Sequence, residues 1–201
     1  LLKKKIILKK RKSVYLENSN YYVEDIRKLI VEKYGFDKVY KQGFTINTPL
    51  NLELQEHATK SLRQGLVDFD NKKGWRGPLL NKSENSEWKK NLDKYKLEES
   101  IGWKLSIVKK IDKFSAEIET IDGDKGVIEF KSINWTKKNF DELFEIGDII
   151  YVEKNSEHKY SLKQLPKVNG ALVVMDPYTG RVLALSGGFS FKNSEFNRAT
   201  Q

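Results

Sequence analysis

The 201-residue sequence contains no cysteine, only two histidines and no long apolar run. The absence of cysteine excludes disulfide bonds and thiolate metal sites. His57 and His158 lie far apart in the chain, so a zinc site is unconvincing, and we predict neither a metal nor a cofactor. The longest apolar runs are about five residues, far short of the ~20 that a membrane-spanning helix needs. No signal peptide is recognisable either.

Positive charge is concentrated at the N-terminus. The net charge is +9, and Leu1–Lys12 holds seven Lys or Arg residues and no acidic residue. We predict that residues 1–20 form a basic linker. One interpretation is a solvated linker or an edge strand. The other is contact of Lys3–Lys12 with an anionic membrane surface, where each basic residue contributes about 1 kcal/mol.

Apolar spacing in residues 21–80 predicts two helices. Tyr21–Tyr34 and Leu52–Phe69 carry apolar residues at the helical period, and Asn51 is placed to cap the second helix. Between them, Gly43–Thr48 alternates between apolar and polar residues like a strand.

The segment after the second helix, DNKKGWRGP, has no helical or strand period. Its candidate signature residues are Asp70, Gly74, Trp75, Arg76, Gly77 and Pro78. Glycines on both sides of the Trp-Arg pair predict a sharp turn that buries the indole and orients the guanidinium. We interpret the arginine as holding a loop rather than contacting a substrate. The next stretch, 81–100, is polar and rich in lysine and glutamate, which predicts a connector.

Residues 101–165 change to short strands with turn signals. The predicted strands are Trp103–Lys109, Phe114–Ile121, Val127–Phe130, Ile149–Glu153 and Tyr160–Leu165, with a helical spacer at Thr136–Phe144. Five short strands with a spacer between the third and fourth predict an OB-like barrel. A nucleic-acid ligand would need a basic groove with exposed aromatic rings. This segment carries a net charge of −1, and Trp103, Phe114 and Phe130 lie where they would fill the barrel, so we predict no nucleic acid.

Residues 166–201 contain two apolar runs around one tight loop. Ala171–Met175 and Val182–Leu185 are continuous apolar runs, which is typical of strands that are covered on both faces. In the loop, Pro177 presets its own φ, Asp176 can accept hydrogen bonds from the turn backbone, and Gly180 tolerates a positive φ. We predict a hairpin.

The hairpin GALVVMDPYTGRVLALSGG, the FNRATQ segment after it and the GWRGP element together resemble class A penicillin-binding proteins, most closely the 1A type. The resemblance implies a mixed α/β fold, with a five-stranded OB-like insert flanked by a helical linker and partial transpeptidase elements. Residues 21–80 are then the helical linker and the start of the transpeptidase domain. Residues 166–201 are its first hairpin, and the family nucleophile is expected beyond Gln201.

The Ser-x-x-Lys pattern of that family occurs three times, at Ser86–Lys89, Ser106–Lys109 and Ser156–Lys159. A serine hydroxyl needs a base such as a lysine one helical turn away. The second match falls on a predicted strand, where residues i and i+3 point to opposite faces. None follows the FNRATQ segment, and Lys-Thr-Gly is missing. We assign no catalytic residue and expect this chain alone to be inactive and to form no β-lactam adduct.

The resemblance implies a non-catalytic segment of a bifunctional peptidoglycan synthase. The full-length parent would polymerise glycan from lipid II and cross-link peptides through an acyl-enzyme serine, the penicillin target, on the periplasmic side of the bacterial inner membrane. The OB-like insert is then a spacer or a docking platform for cell-wall synthesis or regulatory proteins. Only the full-length parent is expected to bind peptidoglycan precursors.

The alternative is an independent OB-fold binding module for a nucleic-acid or protein ligand. The hairpin distinguishes the two hypotheses. A transpeptidase hairpin without the rest of its sheet is expected to be exposed or to pair through its edges, whereas in an independent module it is integrated into the barrel.

Overall fold

The computed structural model describes residue 16 and residues 18–81 and 92–201. The predictions for residues 1–12 and for Ser86–Lys89 lie outside the described residues. The helices are α1 (Asn20–Tyr34), α2 (Phe36–Lys41), α3 (Leu52–Asn71) and α4 (Phe140–Leu143), with 3-10 helices at Leu92–Tyr95, Glu99–Ile101 and Phe130–Thr136. The strands are β1 (Leu80–Asn81), β2 (Trp103–Asp112), β3 (Ser115–Thr120), β4 (Lys125–Glu129), β5 (Asp148–Ser156), β6 (Lys159–Lys163), β7 (Leu172–Met175) and β8 (Val182–Ser186).

Five strands close into a barrel, which confirms the predicted OB-like fold. β2 pairs antiparallel with β3 and β5, and β3 pairs antiparallel with β4. The ring closes through a parallel pairing of β4 with β6 and an antiparallel pairing of β6 with β5. β1 adds two residues to the edge of β5. The predicted spacer between the third and fourth barrel strands consists of a 3-10 helix followed by α4.

Aliphatic side chains and residues from the spacer fill the barrel interior. The core includes Val108, Ala116, Ile118, Ile128, Ile133, Phe140, Leu143, Phe144, Ile150, Val152, Tyr160 and Leu162. The prediction that Phe114 and Phe130 fill the barrel is wrong, since they are 67% and 42% exposed. Phe114 lies just before β3 and Phe130 just after β4, so strand alternation does not govern their side chains.

The outer face of β2 and β5 is also apolar and buried. Leu105 and Ile107 of β2 pack there with Ile149 and Tyr151 of β5, under Leu92 of the connector. Trp103, at the start of β2, packs on this outer face too, so the prediction that it fills the barrel is wrong. The alternation identifies two faces of a strand, but it does not say which of them a later segment will cover.

The β7–β8 hairpin forms a separate two-stranded sheet that packs against α3 and α1. It is therefore not integrated into the barrel. Ala184 and Leu185 of β8 are buried, whereas Val173 and Met175 of β7 are 43% and 54% exposed. The prediction of strands covered on both faces is wrong for β7, because the helices cover only one of its faces.

Two further predictions concern the helical half. Asn51 caps α3 as predicted, since its Oδ1 accepts a hydrogen bond from Leu54 N at 3.0 Å. The strand predicted at Gly43–Thr48 is wrong: the segment is irregular, no described strand pairs with it, and Phe44 and Ile46 are exposed. An alternating pattern forms a strand only where a partner strand supplies its hydrogen bonds.

Candidate functional site

The predicted signature converges on the carboxylate of Asp70, in the last turn of α3. Asp70 is only 2% exposed. Its Oδ2 accepts hydrogen bonds from Arg76 Nη1 at 2.7 Å and from Gln164 Nε2 at 3.1 Å. Its Oδ1 accepts from Lys167 N at 3.1 Å. The other Arg76 nitrogen, Nη2, donates to Leu165 O at 2.7 Å.

These contacts tie both connections of the barrel to the end of α3. Gln164 Oε1 accepts a hydrogen bond from Arg76 N at 2.8 Å, and its Nε2 also donates to Gly74 O at 3.2 Å. The chain enters the barrel after Arg76 and leaves it at Gln164, so one buried carboxylate holds the entry and the exit together. We call Asp70, Arg76 and Gln164 the junction cluster.

Trp75 anchors the same turn to one end of the barrel. Its Nε1 donates to Leu143 O at 3.3 Å, and its ring packs edge-on against Trp135 and Phe144, each with centroids 6.1 Å apart. Gly74 and Gly77 have φ of 81° and 100°, values that L side chains rarely adopt. The two glycines thus permit the turn that points the indole at the barrel and the guanidinium at α3.

A second contact between α3 and the barrel is apolar. Trp103, at the start of β2, packs against Phe189 from the segment after the hairpin, with ring centroids 5.4 Å apart. Val67 of α3 and Ile101 belong to the same cluster. Arg63, also on α3, donates from Nε to Phe189 O at 2.9 Å.

The hairpin loop is fixed by Asp176. Its Oδ2 accepts a hydrogen bond from the Thr179 hydroxyl and its Oδ1 accepts from Tyr178 N at 2.9 Å. These bonds lower the pKa of Asp176. Pro177 follows directly, and Gly180 has the predicted positive φ, 70°. These side-chain hydrogen bonds of Asp176 stay within the loop, which gives it a local role.

Gln55 of α3 fixes the hairpin on the helix. Its Nε2 donates to Leu185 O at 3.0 Å and its Oε1 accepts from Leu185 N at 2.9 Å, as a neighbouring strand would. The same Nε2 lies 2.9 Å from Asn18 O. The Tyr21 hydroxyl lies within hydrogen-bonding distance of Ser190 O and Ser194 O. Burial raises the pKa of Tyr21 to about 12.

The sequence reasoning missed Gln55, Arg63 and Gln164. All three are polar side chains that reach backbone or side-chain groups far along the chain. In the sequence each is a polar residue next to apolar ones, and that pattern is equally typical of a solvent-exposed position.

Neither described Ser-x-x-Lys match has a lysine amine at the serine hydroxyl. Ser106 is fully buried in the barrel and its hydroxyl has no hydrogen-bond partner, whereas Lys109 forms an ion pair with Glu119 at 2.6 Å. Ser156 and Lys159 are register partners between β5 and β6. The Lys159 Nζ donates instead to Glu129 at 2.7 Å. A Ser–Lys pair with the geometry for acyl transfer is therefore not formed by either match.

Two lysines of β2 are paired with acids on the outer surface of the barrel. Lys104 forms an ion pair with Asp124 at 2.8 Å, and Lys110 contacts Asp112 at 2.9 Å. Within the described ranges, no three His, Asp or Glu side chains are grouped as metal ligands would be. Of the helices that the structure describes, none has the length and apolarity to cross a membrane.

Comparison with known proteins gives consistent matches along the chain. A family model described as the penicillin-binding protein OB-like domain matches residues 75–168. Penicillin-binding protein 1A of Rickettsia prowazekii is 37% identical over 201 residues, covering 98% of this chain and 25% of that protein. The Pseudomonas aeruginosa protein of the same name is 30% identical over 199 residues, covering 92% of this chain and 24% of that protein.

A solved structure agrees with these sequence matches. The crystal structure of penicillin-binding protein 1A from Haemophilus influenzae superposes with a TM-score of 0.76 at 29% identity, over 90% of this chain and 28% of that chain. The chain spans about a quarter of the length of the curated relatives it matches.

Proposed function

Because the chain belongs to the penicillin-binding protein 1A family, we propose that it is a non-catalytic segment of a bifunctional peptidoglycan synthase. The whole protein would polymerise glycan and cross-link peptides through an acyl-enzyme serine, on the periplasmic side of the inner membrane. The hairpin supports this proposal over an independent OB module, because it packs on α3 and α1 and not on the barrel.

Within that synthase, we propose that the OB-like barrel is a rigid spacer on the transpeptidase side of the molecule. The observation that carries this role is the junction cluster. The carboxylate of Asp70 holds the entry and exit of the barrel on α3. Buried, charge-assisted hydrogen bonds restrict geometry more than exposed ones do. A barrel held this way keeps one orientation relative to α3 and the hairpin.

A second role, docking of cell-wall synthesis or regulatory proteins, is favoured by exposed apolar side chains on the barrel. Phe114 and Ile146 are 67% and 66% exposed, and Phe130 is 42% exposed. Exposed apolar residues are typical of protein contact surfaces when they form a patch.

Distance measurements between spin labels test the spacer. The chain has no native cysteine, so labels can be attached at Asp37→Cys on α2 and Lys131→Cys after β4, both exposed. We expect one narrow distance distribution, which broadens when Asp70→Asn is added. Asp68→Asn, an exposed neighbour on α3 that accepts a hydrogen bond from Gln64, is the matched control and should leave the distribution narrow. A broad distribution without Asp70→Asn contradicts the spacer.

Incubation with a fluorescent penicillin tests the non-catalytic assignment. We expect intact-mass spectrometry to find no covalent adduct on this chain, because neither described Ser-x-x-Lys match places a lysine at the serine. A full-length penicillin-binding protein 1A relative, labelled in parallel, is the positive control. An adduct on any serine of this chain would contradict the proposal that this segment is non-catalytic.

A further inference from the structure

The end of α3 and the spacer of the barrel form a cavity of about 580 Å³. Three exposed lysines line it. Lys72 and Lys73 follow α3 directly, and Lys137 follows the 3-10 helix Phe130–Thr136. The fold thus brings ammonium groups from two distant parts of the chain to one cavity.

These lysines have no acid paired with them among the residues that the structure describes. The ion pairs of the helices and the barrel join other lysines to acids. Asp68 also lines the cavity, but its Oδ1 accepts a hydrogen bond from Gln64 at 2.8 Å and it forms no ion pair with the three lysines. The lining side chains therefore carry three positive charges and one negative charge, which favours an anionic ligand.

The local fold does not explain the lysine at position 137. A helix dipole stabilises cations near its C-terminus, which accounts for Lys72 and Lys73 at the end of α3. Lys137 instead ends the spacer helix with a φ of 57°. Glycine adopts this conformation without strain, whereas other residues adopt it at a cost in free energy. A lysine in a strained position indicates that its side chain has a function.

The spacer helix extends the basic surface beyond the cavity. In a 3-10 helix, residues three apart lie above one another with a spacing of about 6 Å. Lys131, Asn134 and Lys137 follow this spacing, and all three are exposed. An extended peptide places alternate side chains on one side about 7 Å apart, which is a comparable spacing. This row therefore fits an extended chain with several acidic groups better than it fits a single phosphate.

Asn71 indicates that the ligand also brings a hydrogen-bond donor. It is the last residue of α3 and lines the same cavity, and its Oδ1 is buried with no protein donor. A buried acceptor without a donor costs free energy, so a ligand that supplies an N–H group gains affinity there. The backbone of a peptide carries such donors, whereas the phosphodiester backbone of a nucleic acid carries none.

We propose that this cavity binds an acidic, extended segment of a partner protein, with carboxylates at Lys72, Lys73 and Lys137 and a backbone N–H at Asn71 Oδ1. The exposed Phe130, part of the docking surface proposed above, begins the same 3-10 helix. That the ligand belongs to a partner protein rests on this docking role. The unpaired lysines and the buried amide oxygen stand without it.

Titration of the whole chain with the capped decapeptide acetyl-(Glu-Ala)5-amide, followed by the NMR signals of the backbone amides, tests the proposal. We expect saturable shifts centred on Lys72, Lys73 and Lys137. The affinity should fall at least tenfold when glutamine replaces glutamate in the peptide. Shifts confined to residues 1–12 overturn the proposal, because the peptide then binds the basic N-terminus and not the cavity.

Neutral variants separate this cavity from the overall positive charge. Lys72→Gln/Lys73→Gln/Lys137→Gln should weaken peptide binding at least about tenfold, since each exposed ion pair contributes a few-fold. The matched control removes three other exposed lysines that form no ion pair, with the same loss of charge: Lys28→Gln/Lys33→Gln/Lys38→Gln. The control should bind within about twofold of the unaltered chain. Equal losses in the two triple variants overturn the proposal.

Asn71→Leu separates binding from stability. It removes a buried oxygen that has no donor, so the urea midpoint should stay the same or rise. Peptide binding should nevertheless weaken about threefold or more, because the backbone N–H loses its acceptor. Unaltered affinity in this variant overturns the proposed contact.

Two competitors distinguish the peptide from other anions. A thymidylate decamer that shifts the same amides at lower concentration than the peptide overturns the proposal in favour of a nucleic acid. Inorganic phosphate that displaces the peptide at equal concentration overturns it in favour of a small anion. None of these results depends on the spin-label distances or on the penicillin adduct, so a failure here is distinguishable from a failure of the proposed function.

Discussion

At the scale of single residues, the buried carboxylate of Asp70 binds groups from both connections of the barrel. Asp70→Asn removes the charge that holds Arg76 and leaves an amide facing the donors of Arg76 and Gln164. Removing one partner of a buried ion pair is strongly destabilising. Since Arg76 keeps partial exposure to water, we expect a loss of about 2–4 kcal/mol of unfolding free energy, measured by urea denaturation.

Asp68→Asn provides the comparison for Asp70→Asn. Asp68 lies on the exposed side of α3, and exposed substitutions usually change stability by less than about 0.5 kcal/mol. Equal midpoints for the two variants would contradict the role of the junction cluster.

The raised pKa of Tyr21 predicts how the stability of the helix–hairpin half changes at alkaline pH. Burial raises its pKa to about 12, from an ordinary value of 10.0. As the pH rises, the unfolded chain therefore loses its tyrosine proton first. The stabilisation is complete below pH about 10 and is lost as the pH passes about 12. We expect Tyr21→Phe to make the alkaline decline of stability shallower. Tyr178→Phe, at a loop position that is 96% exposed, should keep the slope of the unaltered chain.

Only part of the junction cluster could be predicted from the sequence. The residues of the DNKKGWRGP segment are close in sequence, and the two glycines predict a turn. Their partner Gln164 lies about 90 residues away, on the far side of the barrel strands. No local pattern specifies a partner at that separation, because it depends on how the barrel closes.

At the scale of elements, the closure of the barrel depends on the β4–β6 pairing. Gly126 of β4 lies under the ring of Tyr160, and a Cβ there would be 2.3 Å from the ring. Gly126→Ala therefore overpacks the closure and should cost about 1–3 kcal/mol, measured by thermal or urea unfolding.

Tyr160→Leu provides the test of that mechanism. It removes the ring that the new methyl group would meet. The double variant should lose less stability than the two single variants together, with a coupling of at least about 0.5 kcal/mol. Strict additivity would mean that the strain lies elsewhere, for example against His158 O.

The elements themselves were more predictable than their faces. All five barrel strands and α3 were predicted, because strand and helix periods are local properties. The inward and outward faces of β2 were not. Leu105 and Ile107 are buried beneath Leu92. The alternation within β2 does not predict that a segment from elsewhere in the chain covers its outer face. The strand prediction at Gly43–Thr48 is wrong for the same reason, because alternation within a segment does not show whether a partner strand pairs with it.

At the scale of the whole molecule, the barrel and the helix–hairpin half contact each other at two kinds of site. The junction cluster is polar and buried, and the Trp103–Phe189 contact is apolar. Each half also has its own core, with Ile128 and Ile150 in the barrel and Tyr22 and Leu185 in the other half. Cooperation between the halves should therefore depend on these two contacts and not on a shared core.

This arrangement predicts one unfolding transition that splits when both contacts are removed. In the unaltered chain, tryptophan fluorescence, which includes Trp75 and Trp135 at the barrel end, and far-ultraviolet circular dichroism of α1 and α3 should give the same midpoint. In Asp70→Asn/Trp103→Ala, the helical signal should be lost at lower urea than the fluorescence. Either single substitution should lower the midpoint without separating the probes, because the remaining contact still couples the halves. Coincident transitions in the double variant would mean that the halves are coupled elsewhere, and the proposed rigidity of the barrel would then rest on contacts other than the junction cluster.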